Sequence, residues 1–467
     1  MLWACINLPH LAMDGILRRH PATGPLVLVD GPANARTIVA ANEAAHAAGL
    51  HVGQRLSAAQ ALLSQFEAMA YERESADRWH RFLAAVAYRY SSEVSLLPHT
   101  IVLEVSRSMG LFGPWPRLQA MLRADFTALG FRHRLAAAPT PHAAQVLATV
   151  ADGQAVQGAD ALRRALQGVP LADSGLPAAA IAALPGMGIR RLGQLLALPR
   201  DGLRRRFGAE LPAALERLTG ERPPGLESYR PPDVFDLRIE LLHEVENRSA
   251  LVFPLRRMVD DLAAYLAGRD GGVQRFLLRL EHREGRYTDV PVGLLAPERD
   301  GALLFEFARG RLEHVVLPAP VLALRLLARE LPAFVPAGRD LFDERPANAL
   351  PLGQLRERLR ARLGEWAVYR LGGTTDPRPE RAQAVAEGDH GHDEPSPRPT
   401  WLLAHPVPLR GPPPRILAGP ERLETGWWDG AEACRDYYVV ETSLGQRAWA
   451  FCPPGEQDGW MLQGWFA

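Results

Sequence analysis

The order of secondary-structure signals constrains this chain most tightly. Short β-type runs at Leu2–Ile6, Leu26–Asp30, Thr37–Ala40, Thr100–Val105 and Phe131–Ala136 alternate with helical-period stretches at Ala41–Ala48, Ser75–Tyr90, Pro116–Leu129 and Ala143–Ala151. Residues 1–160 are therefore expected to form an α+β domain with helices packed on a sheet. Residues 161–230 carry no strand signal and read as short helices punctuated by Gly and Pro, among them Leu184-Pro-Gly-Met-Gly-Ile-Arg-Arg-Leu-Gly-Gln-Leu195. A second small α+β unit, 231–335, opens on a strand-like run (Val234–Leu242), continues as an amphipathic helix (Ala250–Ala267) and returns to strands at Val273–Glu281 and Ala302–Phe307. The segment 336–371 ends in a charged helix, Leu352–Leu363. Residues 372–400 are rich in Gly, Pro and charge and nearly devoid of large apolar side chains, so they are expected to be a flexible linker. Residues 401–467 hold six of the ten tryptophans, with strand-like runs at Tyr437–Glu441 and Arg447–Phe451, enough aromatic surface for a small β-containing core or a docking face. The expected class is α+β multidomain.

Charge narrows the function. The chain has 53 basic and 53 acidic residues, every basic one arginine, which excludes a broadly basic nucleic-acid coat. The balance is uneven: 161–230 carries 11 arginines against 6 acids, a local excess of five. Cys5, Cys434 and Cys452 form no CxxC pair, so neither a disulfide framework nor a zinc site is expected, in keeping with a reducing cytoplasm. No basic leader with an apolar core opens the sequence, and no run approaches the roughly 18 apolar residues that a membrane span needs.

Sheet domain, Gly-punctuated helical domain, then a second α+β domain: this order resembles the palm and fingers, thumb and little finger of the Y-family translesion DNA polymerases. Four local patterns carry the resemblance. Ala4-Cys-Ile-Asn-Leu-Pro-His-Leu-Ala12 is similar to the family's first strand, which ends in an Asp-x-Asp pair followed by aromatics. Asn42-Glu-Ala-Ala-His-Ala-Ala-Gly-Leu50 with Val52-Gly-Gln-Arg-Leu-Ser57 resembles the fingers segment, Leu103-Glu-Val105 the strand after the second acidic pair, and Ala138-Pro-Thr-Pro-His-Ala-Ala-Gln-Val-Leu147 the helix start Asn-Lys-x-Leu-Ala-Lys.

Each match keeps the scaffold and loses the chemistry. Phosphoryl transfer in this family needs two Mg²⁺ ions, and hard cations need clustered carboxylate oxygens. The positions matching the acids are Asn7 and Pro9 on the first strand, and His99 and Thr100 at the second pair. The positions matching the triphosphate-gripping Tyr, Arg and Lys are Glu43, His46 and Gln145, and Glu43 would repel a nucleotide. Asp14 and Glu93 are the nearby carboxylates that displaced metal ligands would use, and an active polymerase of that kind is the alternative reading.

The later patterns Leu341-Phe-Asp-Glu-Arg-Pro-Ala-Asn-Ala-Leu-Pro-Leu352, Gly419-Pro-Glu-Arg-Leu-Glu-Thr-Gly-Trp-Trp-Asp-Gly430, Arg435-Asp-Tyr-Tyr438 and Gly464-Trp-Phe-Ala467 resemble the catalytically inactive Y-family homologues of bacterial mutasomes. That resemblance covers essentially the whole chain. It implies a cytoplasmic, nucleoid-associated adaptor of the SOS response, without cofactor, linking the sliding clamp (β subunit), an ImuA-like, RecA-related protein and an error-prone C-family DNA polymerase during translesion synthesis and mutagenesis.

Two binding elements can be placed on residues. Gly186 and Gly188 allow close backbone approach to a phosphate, and Arg190, Arg191, Arg204, Arg205 and Arg206 surround them with charge, as in helix-hairpin-helix elements; glycine pairs at helix ends also serve simply as caps. Arg339-Asp-Leu-Phe342 resembles the bacterial clamp-binding motif, with Gly338 where that motif carries Gln. Leu341 and Phe342 would fill an apolar pocket of the clamp, or else pack back on the little finger. Gln354-Leu355 is a weaker second candidate, and Asp389-His-Gly-His-Asp-Glu394 reads as linker composition, so no metal is expected.

Overall fold

The apolar run after Met1 forms β1 (Trp3–Asn7), all five residues buried, as suits a central strand covered on both faces. The computed structural model describes residues 1–335, 352–363, 367–369, 371–374, 376–385 and 398–466 and divides into two units, Met1–Arg358 and Leu359–Ala467.

In the first unit, α1 (Leu11–Leu17) leads from β1 into a separate small sheet of β2 (Leu26–Asp30), β3 (Thr37–Ala41) and β4 (Glu67–Ala70), ordered β3-β2-β4. α2 (Glu43–Ala47) and α3 (Leu56–Leu62) lie between β3 and β4 in sequence. Asn42 begins α2: its Oδ1 accepts from the Ala45 N–H at 2.8 Å and the Leu26 N–H at 3.0 Å, so one buried amide ties helix to sheet. The chain returns through α4 (Arg73–Ala87), β5 (Val94–Leu97), β6 (Thr100–Glu104), α5 (Met109–Phe112), α6 (Trp115–Ala128), β7 (Arg134–Ala138), α7 (Pro141–Val150) and β8 (Gln154–Ala155). The main sheet reads β5-β6-β1-β7-β8. Trp79 and Leu83 of α4 and Leu118, Leu122 and Phe126 of α6 build one core with it.

A second core joins α7 to the helical segment α8 (Ala159–Gln167), α9 (Ala178–Ala183), α10 (Leu192–Leu196), α11 (Arg200–Phe207) and α12 (Glu210–Thr219). Leu162, Leu166, Leu195, Leu211, Leu215 and Leu218 are buried there with Trp3, Cys5 and Val102 of the sheet, so the thumb-like helices are seated on the palm-like sheet by burial of apolar surface. The Thr140 hydroxyl also donates to the Leu218 carbonyl at 2.9 Å.

The third segment runs β9 (Phe235–Val245), α13 (Arg248–Gly268), β10 (Val273–Glu281), β11 (Tyr287–Glu298), α14 (Gly301–Glu313) and β12 (Val321–Glu330), an antiparallel sheet ordered β11-β10-β12-β9. The strand expected at Ala302–Phe307 is a correction, because it lies inside α14. Asp300 caps that helix by accepting the Leu303 N–H at 2.9 Å, and Leu304, Phe305, Ala308 and Leu312 are buried at helical spacing.

α13 closes onto α4 and α1. A Cβ built on Gly268 would stand 2.0 Å from the Ala85 carbonyl oxygen, so the two helices touch backbone to side-chain-free position. Nearby, Arg18 Nη2 meets Asp261 Oδ1 at 2.5 Å with both side chains buried. The Arg18 guanidinium lies 5.1 Å from the ring centroids of both Trp79 and Phe131.

α15 (Leu352–Leu363) forms where a helix is expected, and Leu355 on it is exposed. In the second unit, part of the stretch expected as linker is ordered: β13 (Leu371–Gly373) pairs with β14 (Gln383–Val385), while 386–397, with the Asp389–Glu394 stretch, lie outside the described residues. Charge supplies the order that apolar residues do not. Arg378, 2% exposed, reaches Asp429 with both Nη atoms (3.0 and 2.7 Å) and Asp376 at 2.5 Å. β15 (Trp401–Pro408), β16 (Arg415–Thr425), β17 (Ala433–Glu441), β18 (Arg447–Cys452) and β19 (Met461–Trp465) form an antiparallel sheet ordered β15-β19-β18-β17-β16. The tryptophans divide between the two roles their density allowed: Trp449 and Trp460 are buried, with Trp449 stacked on Tyr437 at 4.2 Å, whereas Trp401, Trp427 and Trp428 are exposed.

A pH test follows. Hydrogen bonds from Arg378 hold the Asp376 carboxyl down at about 2, and those from Arg422 and the Gly455 N–H hold Asp436 at about 2; Asp429 is depressed by the same Arg378. Depressed folded-state carboxyls stabilise above their ordinary value near 3.8 and stop doing so as pH falls through the folded value. The second unit is expected to keep its tertiary signal at pH 5 and lose it between about 4 and 2, read by tryptophan emission, with Arg378→Leu moving that loss to higher pH.

Candidate functional site

The end of β1 is where the sequence resemblance leads one to expect the active centre of a polymerase, and the sheet gathers the residues concerned. Asn7 of β1 lies opposite Thr100 of β6 and Arg134 of β7. Asn7 and Thr100 are buried, whereas Pro9 and His99 are exposed. Gln145, on α7, donates from Nε2 to the Thr100 hydroxyl at 3.1 Å, and Asn7 Nδ2 donates to the Ala148 carbonyl of the same helix at 3.3 Å. The sequence-derived positions Asn7, Thr100 and Gln145 therefore meet at one end of the sheet, as neutral groups that bond to each other or to backbone.

The turn before β6 is tight. His99 has a φ of +54°, and its carbonyl accepts the Leu8 N–H at 2.9 Å. His80 of α4 meets the Thr100 carbonyl at 3.0 Å, and burial holds its imidazole below the ordinary value, so it is a neutral donor there.

The nearby carboxylates are committed elsewhere. Asp14, 3% exposed, accepts from the Arg132 backbone N–H at 2.9 Å and from its Nε at 2.8 Å. Glu93 pairs with Arg107 at 3.3 Å on the surface. Glu104 is buried and accepts the Ser106 N–H at 3.0 Å. Among the described residues no three His, Cys, Asp or Glu side chains are grouped as a metal site.

Glu43 and His46 sit on α2, away from the strand end in sequence but connected to it by charge. Glu43 is exposed and meets Arg132 Nη1 at 3.3 Å. His10, half-buried just past Pro9, is held below its ordinary value first by burial and then by Arg132, with His46 and Arg134 adding to it and Asp14 opposing. Sequence reasoning missed Arg132 as the centre of this cluster; no local pattern marks it, since its partners come from α1 and α2.

The helical segment displays its candidate DNA contacts. Gly186 and Gly188 lie in the turn between α9 and α10, Gly188 at φ +80°, with nothing within 4 Å of a Cβ at either. Arg190 and Arg191 follow, exposed, their backbone N–H groups both donating to Gln194 Oε1 (2.9 and 3.1 Å), which fixes the turn. Arg204, Arg205 and Arg206 are exposed on α11; Arg204 approaches Glu216 at 4.0 Å. Arg339, Asp340, Leu341 and Phe342 lie outside the described residues.

The chain is similar in sequence to known proteins. Residues 12–149 match the model of the impB/mucB/samB family. Two curated relatives, Protein ImuB from two strains of Caulobacter vibrioides, are each 28% identical over 460 residues, spanning 90% of this chain and all of theirs. Among solved structures, DinB from Sulfolobus solfataricus covers 72% of this chain at 11% identity and a TM-score of 0.40, and a Dbh–Dpo4 Y-family chimera covers 71% at 11% and 0.42. No helix among the described residues is long and apolar enough to cross a membrane. With residues 12–149 matching the impB/mucB/samB family and 90% of the chain aligning with the whole of the ImuB proteins, the chain is similar to ImuB nearly from end to end.

Proposed function

We propose that this chain is a non-catalytic adaptor of a DNA-damage-induced mutasome, tethering an error-prone C-family polymerase and an ImuA-like, RecA-related partner to the sliding clamp for translesion synthesis. The observation that carries the reading is the strand end itself. Asn7, Thr100 and Gln145 are neutral and internally bonded where polymerisation would need ionised carboxylates and a cation for the triphosphate. The neighbouring acid Asp14 is neutralised by Arg132.

Binding replaces chemistry in this reading. The exposed glycine turn, Arg190 and Arg191 just before α10, and the arginines of α11 support a sequence-independent, salt-sensitive grip on the DNA backbone. Arg339–Phe342 supplies the clamp contact. The C-terminal module with its exposed tryptophans supports docking of the protein partners. Several weak contacts on one chain raise the effective concentration of a polymerase at a stalled primer end.

Two measurements test the reading. Primer extension with Mg²⁺ or Mn²⁺ is expected to stay at background; robust extension abolished by a change at Asp14 or Glu93 would instead establish an active polymerase with displaced ligands. Clamp co-purification is expected to fall at least tenfold in Leu341→Ala/Phe342→Ala, and unchanged clamp binding would remove the motif from the argument and leave a general DNA-binding factor.

A further inference from the structure

A cleft of about 630 Å³ lies between α4 and α1 of the palm-like sheet domain and β9 of the little-finger-like domain, roofed by the connecting segment at Tyr229 and Pro232. That volume is within the range of small-molecule sites. It is separate from the strand end described above, since its walls come from the helical side of the sheet and from β9.

Its charge is unbalanced. Arg325 is taken up by Asp236, with Nε and Nη2 at 2.8 and 2.5 Å from the two carboxylate oxygens, and Arg238 by Glu240 at 2.6 Å and Glu281 at 2.8 Å. Arg19, Arg78 and Arg81 remain against Glu72, three guanidiniums to one carboxylate. Among the described residues Arg78 and Arg81 have no acidic partner within ion-pair distance, and both are exposed on α4. Arg19 is fixed by its bonds to Ser75 Oγ at 2.5 Å and the Gly15 carbonyl at 3.4 Å, so its charge is held in place at the wall. Burial first, and then the field of Arg78, work against the Arg19 cation while Glu72 and Glu240 favour it, and an anion in the cleft would add to that favourable field.

The remaining wall is aromatic. Phe82 and Tyr229 are partly exposed to the cleft, and the Tyr229 hydroxyl donates to the Arg81 carbonyl at 2.9 Å, so the ring is held edge-fixed beside the arginines. A flat base stacked on an aromatic wall, beside a phosphate held by guanidiniums, is the chemical description of a bound nucleoside phosphate.

We propose that this cleft binds a nucleoside 5′-phosphate, its phosphates on Arg78, Arg81 and Arg19 and its base against Phe82 and Tyr229. Because α4 belongs to one domain and Tyr229 to the segment leading into the next, the bound ligand bridges them and stiffens their junction. The proposal is independent of the adaptor reading: it requires neither catalysis nor any protein partner.

The test is titration of the full-length protein at low salt with ADP, with inorganic pyrophosphate and with a 5′-phosphorylated oligothymidylate, followed by calorimetry. ADP is expected to bind, pyrophosphate more weakly, and Arg78→Ala/Arg81→Ala to cost at least tenfold in affinity. Glu72→Gln, which removes the opposing carboxylate, is expected to tighten ADP severalfold, a gain that misfolding does not produce. Binding by the oligonucleotide alone, with the same dependence on Arg78 and Arg81, would assign the same phosphate chemistry to the end of a strand. No binding of any of the three probes at millimolar concentration, or binding indifferent to all three substitutions, overturns the proposal.

Discussion

Asp261→Ala is expected to loosen the junction between α13 and α4 by about 3–5 kcal/mol, the cost of leaving a buried charge without its partner. Arg18 and Asp261 are 7% and 1% exposed, so the guanidinium left behind has no water to turn to. Burial pushes the Asp261 carboxyl up to about 6, which still leaves it an anion facing Arg18 at neutral pH. The pair is not perfectly satisfied, for Arg18 Nε and Asp261 Oδ2 find no hydrogen-bond partner among the described residues. The Arg18 guanidinium does lie 5.1 Å from the ring centroids of both Trp79 and Phe131, a setting in which an apolar chain would also pack. The double variant Arg18→Met/Asp261→Leu is therefore expected to recover most of the loss, since two matched apolar groups avoid both desolvation penalties. Native-state hydrogen exchange read by mass spectrometry localises the effect: amides of α13 and β9 exchange faster in Asp261→Ala, while those of β17 and β18 do not change. Unchanged protection of α13 in the single variant would mean that the ion pair does not hold this junction.

Gly268→Val attacks the same junction by volume instead of charge. The first added atom would stand 2.0 Å from the Ala85 carbonyl oxygen, 2.9 Å from its carbon and 3.2 Å from Val86 Cα, all backbone of α4. A flexible side chain could swing aside at little cost, but a helix backbone moves only as a unit. Overpacking of this kind costs about 1–3 kcal/mol, and here the upper part of that range is expected because the clash is with main chain. Faster exchange of the same α13 amides, with Gly268→Ala giving a smaller effect in the same direction, is the expected result. If Gly268→Val leaves them protected, α13 and α4 do not approach as closely as described. Because the nucleotide cleft shares α4 with this junction, both variants are also expected to weaken ADP binding, which the exposed-surface variants Arg78→Ala/Arg81→Ala do without altering α13 protection.

These two residues also show where local pattern stops being informative. Strand β10 runs from Val273 to Glu281 and helix α15 from Leu352 to Leu363, the bounds that alternation and helical period indicate in the sequence. The apolar stretch beginning at Ala302 shows the limit of that method. A short run such as Leu303-Leu-Phe305 suits either a strand or a buried helix, and the Asp300 cap together with burial at Leu304, Ala308 and Leu312 decided for helix. The ordered part of 371–385 was hidden for another reason. It is held by a buried arginine and one carboxylate, Asp429, some fifty residues on, and charge-rich composition alone cannot be told from a solvated linker.

Most of the order of strands and helices, the glycine-and-arginine turn between α9 and α10 and the non-carboxylate residues at positions 7, 9, 99 and 100 were legible in the sequence, because each is carried by neighbouring residues with fixed spacing. Three features appear only in the folded chain: Asn7, Thr100 and Gln145 bond into a neutral cluster, Arg132 draws Asp14 and Glu43 together, and Arg18 finds Asp261 across 243 residues. The physical reason is that an isolated arginine, aspartate or glycine reads the same in sequence whether it meets water or another helix. Its worth is set by what the fold brings within a few ångströms of it, and that contact has no period along the chain.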